Sequence, residues 1–398
     1  MWIGTLGQTA PVISRVDAEA LDAADPLAAW RDEFVIPEPD LVYLDGNSLG
    51  RPARRAVEEM QRVMADEWAG GLIRSWDHWV DLPLEAGAAL APLLGVDGDE
   101  VVVHDSTSIN LFQLVHAALA LRPDRQVIAV DPQDFPSDVY IVRSIAEAIG
   151  LELRHSFDRL DDVAVVVRSS VDYRSAEVAD LAGETARATA AGALTIWDLC
   201  HAAGLLELDL HAAGVELAVG CTYKFLGSGP GGPGWSYVAR DLIPEIRQPL
   251  WGWFGRDDQF GMASTYAPRP DIGRLLVGTP GIIGIAGAKA AIEVVAEAGI
   301  AAVHEKAVAL TGLGLDLVDQ WGLESPTPRE GARRGGHLAV RHPAAADLTE
   351  RLVEQGVITD FRPPDLIRLG CSPLTTRFTD VFDGLAAIAD LAAIAAPP

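Results

Sequence analysis

Between about residues 100 and 240 the chain alternates short apolar runs with longer stretches of helical period. The apolar runs fall at 100–104, 126–130, 162–167, 193–197 and 215–219. Runs this short and this uniformly apolar predict strands buried on both faces, as in a parallel sheet. Between them, 109–120 carries Leu111, Leu114, Val115, Ala118 and Leu119 on one stripe and predicts a helix, as does 177–191. Strands alternating with helices predict an α/β fold with a mostly parallel sheet flanked by helices.

After about residue 285 the period lengthens. Alanine-rich helices are predicted at 285–298 and 301–319, followed by short strands at 337–341 and 366–370, which reads as a smaller α+β domain. The first fifty residues hold prolines and turn signals before Arg54 opens a helix ending near Trp68. The expected organisation is an N-terminal arm (1–52), a large α/β domain (53–285) and a small C-terminal α+β domain (286–398). There is no internal repeat, and the only compositionally biased stretch is an alanine-rich C-terminal helix at 385–396.

Composition narrows the function. With 57 acidic against 31 basic residues the formal charge is −26, which repels phosphate backbones and anionic lipid, so neither nucleic acid nor a membrane is an expected partner. Cys200, Cys221 and Cys371 are odd in number and lack a CxxC spacing, so no disulfide framework and no metal site is expected. The N-terminal stretch lacks the positive region and apolar run of a signal peptide, and no apolar run reaches membrane-spanning length. A soluble, cytoplasmic protein is the expectation.

The strongest chemical signal runs from 194 to 234, LTIWDLCHAAGLLELDLHAAGVELAVGCTYKFLGSGPGGPG. One apolar strand ends in Asp198, with His201 three residues on, and the next leads to Tyr223 and Lys224. Ligands of open α/β sheets bind at the carboxyl ends of strands, so Asp198 and Lys224 are delivered to one crevice. A lysine that can condense with an aldehyde, beside a carboxylate that can keep a pyridine nitrogen protonated, suits pyridoxal 5'-phosphate (PLP). Only three lysines occur in the chain, and Lys289 and Lys306 fall in helices of the C-terminal half. Taken alone, the segment also fits a surface lysine with Asp198 as a helix cap.

Two further strand ends point the same way. The run Asp105-Ser106-Thr107-Ser108 sets hydroxyls and free amides at a helix N-terminus, where a phosphate or a simple cap fits. Phe135, Pro136, Ser137 and Asp138 follow another strand, with a ring able to stack on a flat heterocycle and an aspartate that can also cap the next helix. Ser169 follows a third strand and can reach the ring or serve as a turn residue.

In their order along the chain, YLDGNSLG (43–50), SWDHWVDLP (75–83), DSTSIN (105–110), FPSD (135–138), WDLCHAAG (197–204), YKFLGSGPGGPG (223–234), GWFG (252–255), GTP (278–280) and RLGCSPL (368–374) resemble kynureninase, a family of the fold-type-I, transferase-like PLP enzymes. The resemblance spans 43–383. It implies that Lys224 condenses with the cofactor, that Asp198 holds the pyridine nitrogen, and that His201 lies beside the ring. It also implies that Phe135 stacks on the ring with Ser137, Asp138 and Ser169 nearby, and that Thr107, Ser108 and Tyr223 hold the phosphate. Trp253 and Thr279 would reach the phosphate from a neighbouring subunit, implying a homodimer with active sites at the interface, and Arg368 would grip the α-carboxylate of an amino-acid substrate.

The implied reaction is hydrolysis of the Cβ–Cγ bond of L-kynurenine to anthranilate and L-alanine, with Lys224 taking the α-proton and Tyr223 as general acid or proton relay. Two positions depart from the family pattern. Arg256 follows GWFG where a histidine is common, and Leu72 lies where an aromatic or histidine is expected against the substrate ring. Gly278-Thr279 looks like the bacterial pattern that favours kynurenine over its 3-hydroxy form. The rival readings are another fold-type-I activity, as in a cysteine desulfurase, lyase or aminotransferase, and a catalytically inert PLP-binding protein.

Overall fold

A computed structural model of the chain describes residues 12–395. Its centre is a seven-stranded sheet in the order Val101–His104, Gly234–Val238, Leu217–Cys221, Leu194–Asp198, Val163–Ser169, Val127–Val130, Glu152–Arg154. Gly234–Val238 runs antiparallel to both of its neighbours and the remaining pairings are parallel. The expected α/β architecture is therefore the observed one.

Side chains that alternate along each strand feed two cores, one on each face of the sheet. Val101, Val103, Trp197, Ala218 and Tyr237 point to the face covered by helices Leu82–Leu94 and Ile282–Ala298. Val102, Ile196, Leu217, Val219 and Val238 point to the other, under Thr107–Ala120 and Pro136–Ile149. Burial on both faces is why these strands read as continuous apolar runs rather than alternating ones.

Four predicted strands begin one residue later than expected, while 215–219 is displaced to Leu217–Cys221. The displacement arises because the Val215 amide closes a turn onto the Leu210 carbonyl, and Cys221 is retained by pairing with Gly234. The predicted helix 177–191 shortens to Leu181–Ala190: Glu177 is held in bridges across the tight turn 172–177, and Asp180 caps the helix through the Gly183 amide at 3.0 Å. The helix from Arg54 keeps α geometry to Arg62 and then widens to π-helical spacing over Val63–Gly71. Of the predicted 385–396 helix, which begins earlier, at Phe378, Ala396 lies outside the described residues, as do residues 1–11 of the arm.

A third core gathers Leu310, Leu313, Leu317, Leu338, Val340, Ile367, Leu369 and Leu385 with Ala18 and Leu44 from the N-terminal stretch. His337–Arg341, Leu366–Gly370 and Asp360–Arg362 form its antiparallel sheet. The strap 43–50 joins this sheet to the lysine-bearing loop: Gly370 donates to the Leu44 carbonyl at 2.6 Å, and Gly50 donates to the Tyr223 carbonyl at 2.9 Å.

A Cβ on Gly50 would fall 2.2 Å from the Lys224 carbonyl oxygen and 3.1 Å from the Gly227 Cα, both backbone atoms with little freedom to retreat. Gly50→Ala is therefore expected to destabilise the fold by about 1–3 kcal/mol through overpacking against the lysine loop. A chemical-denaturation midpoint equal to that of the wild type would contradict this.

Candidate active site

The adjacent parallel strands Leu194–Asp198 and Leu217–Cys221 are in register so that Asp198 faces Val219, and both carboxyl ends open on the same edge of the sheet. Asp198 is buried and its Oδ1 accepts the Cys200 amide at 2.8 Å, which fixes the turn carrying His201. Lys224 returns three residues beyond the second strand, with its Nζ 3.4 Å from His201 Nε2 and 5.7 Å from the centre of the Phe135 ring. Burial pulls the Lys224 pKa down, but Cys221, Cys200 and Asp198 push harder and the net shift is upward. His201 is driven well below the usual histidine range by burial, Lys224 and His337, so its imidazole is neutral.

Asp138 enters from the first turn of helix Pro136–Ile149 and its carboxyl meets that of Asp198 in the same buried space. Burial first, then Asp198 and Asp134, raise its pKa well above the carboxylate range, while Lys224 opposes them. Its Oδ2 is buried and has no hydrogen-bond partner. Asp134 is pushed up to about 7 by burial against the pull of Arg168, and its Oδ2 accepts the Ser169 amide at 3.2 Å.

Thr107 stands at the start of helix Thr107–Ala120, its Oγ1 donating to the Gly220 carbonyl at 3.1 Å and lying 3.7 Å from Cys200 Sγ. Ser106 occupies the N-cap without a side-chain capping bond and Ser108 is exposed, so the hydroxyls and first-turn amides remain available. Gly234 permits the close approach, since a Cβ there would lie 2.6 Å from the Thr107 amide nitrogen. Tyr223 is half-buried, and burial, then Cys221 and Cys200, hold its phenol far above the ordinary range as a proton donor.

These residues fit PLP by the chemistry of their donors. A half-buried amine, a buried carboxylate, an aromatic ring and an uncapped helix N-terminus surround one space. The unpartnered Asp138 Oδ2 faces it.

The structure brings Asp198, His201, Lys224, Tyr223, Phe135, Asp138 and Thr107 together. Ser137 sits in the same helix turn as Asp138, and the Ser169 hydroxyl is turned away to the Val171 carbonyl at 3.1 Å. Trp253 and Thr279 are elsewhere. Trp253 packs edge-on against Phe254, and Thr279 lines a cavity of about 580 Å³ with Trp68, Trp76, Trp79, His104 and Asp105.

Arg368 is fully buried at the edge of the site, bonded to Asp360, Ser48 and the Tyr173 carbonyl. Tyr173 in turn stands edge-on to Phe135, with ring centres 5.4 Å apart. Tyr173, His337 and Asp360 were not singled out by sequence: Tyr173 lies in a turn with no motif, and His337 and Asp360 begin short strands. His337 packs 5.7 Å from His201, ring to ring, and both its nitrogens lack partners. Of the expected departures, Leu72 is exposed at φ 53°, and Arg256, half-buried, bonds the Thr265 carbonyl at 3.1 Å.

Asp138 carries a sharp pH signature. Its folded pKa exceeds the unfolded value, so its contribution to stability is complete below the unfolded carboxylate range and is lost as pH rises through the raised value. Asp138→Asn mimics the protonated form. In cofactor-stripped protein, its melting temperature should match wild type near about pH 4 and exceed it progressively towards about pH 9; a pH-independent difference would refute the assignment.

Residues 303–388 match the family model described as kynureninase C-terminal domain. Kynureninase from Pseudomonas fluorescens is 41% identical over 95% of this chain and 95% of its own length. Kynureninase from Deinococcus radiodurans is also 41% identical, over 95% and 96%. Among solved structures, the apo cysteine desulfurase of Thermococcus onnurineus NA1 superposes with a TM-score of 0.79 at 18% identity, covering 94% of this chain and 98% of its own. A C-DES variant with glycine covalently linked to its PLP cofactor superposes at 0.76 with 19% identity, over 88% and 97%. The two structural likenesses show the fold alone, and identity of this extent to curated relatives establishes more: the chain belongs to the kynureninase family.

Proposed function

We propose that this chain is a kynureninase, hydrolysing the Cβ–Cγ bond of L-kynurenine to anthranilate and L-alanine. It is a PLP-dependent hydrolase acting on a carbon–carbon bond. The observation that carries the reading is the meeting of Lys224, Asp198 and His201 at the tips of two adjacent strands in a chain so similar to kynureninases.

When bound, PLP supplies an electron-accepting ring that makes the substrate's Cα–H acidic. Asp198 would hold the ring nitrogen protonated, and Asp138, keeping its own proton, would add a neutral donor beside it rather than a second repelling charge. Phe135 would cover one face, with Ser137 and Ser169 nearby. Thr107, Ser108 and Tyr223 would hold the phosphate at a helix N-terminus. Neutral His201, in contact with Lys224, would orient the amine that removes the α-proton. Water then adds to the γ-carbonyl, the Cβ–Cγ bond breaks to release the aryl carboxylate, and the Tyr223 hydroxyl, held protonated, donates or relays the proton that Cβ takes up. Arg368 would bind the α-carboxylate.

Trp253 and Thr279 would complete the site from a second subunit. Free cysteines throughout suit a cytoplasmic location. A desulfurase reading draws on the likeness to desulfurase structures, but that chemistry needs an accessible thiol, and Cys200, Cys221 and Cys371 are all buried.

Adding L-kynurenine to the holoenzyme is expected to release the fluorescence of anthranilate, and Lys224→Ala is expected to abolish both that release and the cofactor's visible absorbance band. An intact band without fluorescence would reject the kynureninase activity. The dimer is testable by mixing two inactive variants, Lys224→Ala and Trp253→Ala. Random exchange should restore about a quarter of wild-type activity, because each hybrid dimer regains one intact site; absence of recovery despite verified exchange would assign Trp253 to its own chain's site.

A further inference from the structure

We propose that Asp360 is a positioning residue for substrate recognition: it clamps one edge of the Arg368 guanidinium and so aims the opposite edge at the substrate's α-carboxylate. The inference rests on the reading of Arg368 as the carboxylate-binding residue.

A guanidinium presents two forked edges, Nε with one Nη and the pair of Nη nitrogens, and a carboxylate can grip either. Asp360 and Arg368 are directly opposite each other on antiparallel strands. Asp360 Oδ1 accepts Arg368 Nε at 3.0 Å and Oδ2 accepts Nη2, which occupies the side edge completely. The end edge points elsewhere, with Nη1 to the Tyr173 carbonyl at 2.6 Å and Nη2 to Ser48 Oγ at 2.9 Å. Tyr173 stands against Phe135, beside Lys224, so the end edge is the one turned towards the reacting centre.

The end edge itself is bonded to two neutral acceptors, which a carboxylate would displace, and two buried groups near it lack partners. His337, whose titration is governed after burial by Arg368 and then Lys224, has neither ring nitrogen bonded. The Asn47 amide, next in sequence to Ser48, also lacks partners on both atoms while fully buried. Buried polar groups without partners are rare in folded proteins, and a ligand carboxylate at Arg368 can accept from the Asn47 amide nitrogen or a His337 N–H. The clamp itself does not repel that ligand outright, because Arg362 Nη2 donates to the same Asp360 Oδ2 at 2.7 Å and the Ser48 hydroxyl donates to it at 2.9 Å. Removing Asp360 therefore chiefly releases the aim of Arg368.

The test is steady-state kinetics of holoenzyme Asp360→Asn with L-kynurenine, alongside inhibition by L-alanine and by 2-aminoacetophenone, an aryl ketone without the amino-acid head. KM and the alanine inhibition constant are expected to rise about tenfold, as for the loss of an aimed charge-assisted contact. The kcat value, the cofactor absorbance band and inhibition by the ketone should stay near wild type. Asp360→Glu, which keeps the ion pair one methylene longer, should give a smaller rise. Unchanged KM and alanine inhibition, or a joint fall of kcat and the absorbance band, overturns the proposal. Arg368→Ala separates it from its premise. If that variant leaves alanine inhibition unchanged, the carboxylate assignment falls and the role of Asp360 with it. If it weakens alanine while Asp360→Asn does not, Arg368 stands and Asp360 alone is refuted.

Discussion

The whole site depends on a parallel strand pairing that forces an amine and a carboxylate out of water together. Asp198 and Lys224 leave neighbouring strands at the same edge of the sheet, and neither can retreat, because the strands are buried on both faces. A lone buried charge costs several kcal/mol, so the fold tolerates each only because the other is near. Adding Asp138 to the same space overloads it with negative charge, and the structure relieves this by leaving Asp138 protonated. The result is an amine, a carboxyl group and an acid whose pKa is raised around a single space, groups that suit a pyridine ring bearing an aldehyde.

Much of this was legible in the sequence because it is local. A residue at the end of an apolar run is delivered to the sheet edge whatever the rest of the chain does, which is why Asp198, Lys224, Thr107 and Phe135 could be read from spacing. Boundaries failed where a side chain outcompeted the helix or strand pattern. Asp172 gathers the Arg174 and Ser175 amides and Asp180 caps the following helix, so the predicted start at 177 became a turn. The strand Gly234–Val238 was masked by the glycines before it, and it matters here because its first residue makes room for the helix that Thr107 opens.

Most of the site's remaining contacts join positions far apart in the chain, although Asp360 meets Arg368 only eight residues away. Tyr173 contributes a carbonyl to Arg368 across 195 positions, and Ser48 joins Arg368 across 320. Nothing in the residues flanking His337 marks it as a buried, unpartnered imidazole near Lys224. Such groups become visible only when the small sheet is folded against the large one. Among the described residues, no packing carries Trp253 or Thr279 to the lysine.

The strap 43–50 ties the strand of Arg368 to the loop of Lys224. Its backbone pairs with Gly370, two residues from Arg368, and with Tyr223, one residue from Lys224. Both contacts rely on glycine: a Cβ on Gly370 would meet Asn47 at 1.8 Å, and one on Gly50 would meet the Lys224 carbonyl. The separation between Arg368 and Lys224 is thus set by main-chain hydrogen bonds, which yield less than a side-chain contact does. An α-amino acid has its amine and carboxylate on one carbon, so it tolerates little variation in that separation.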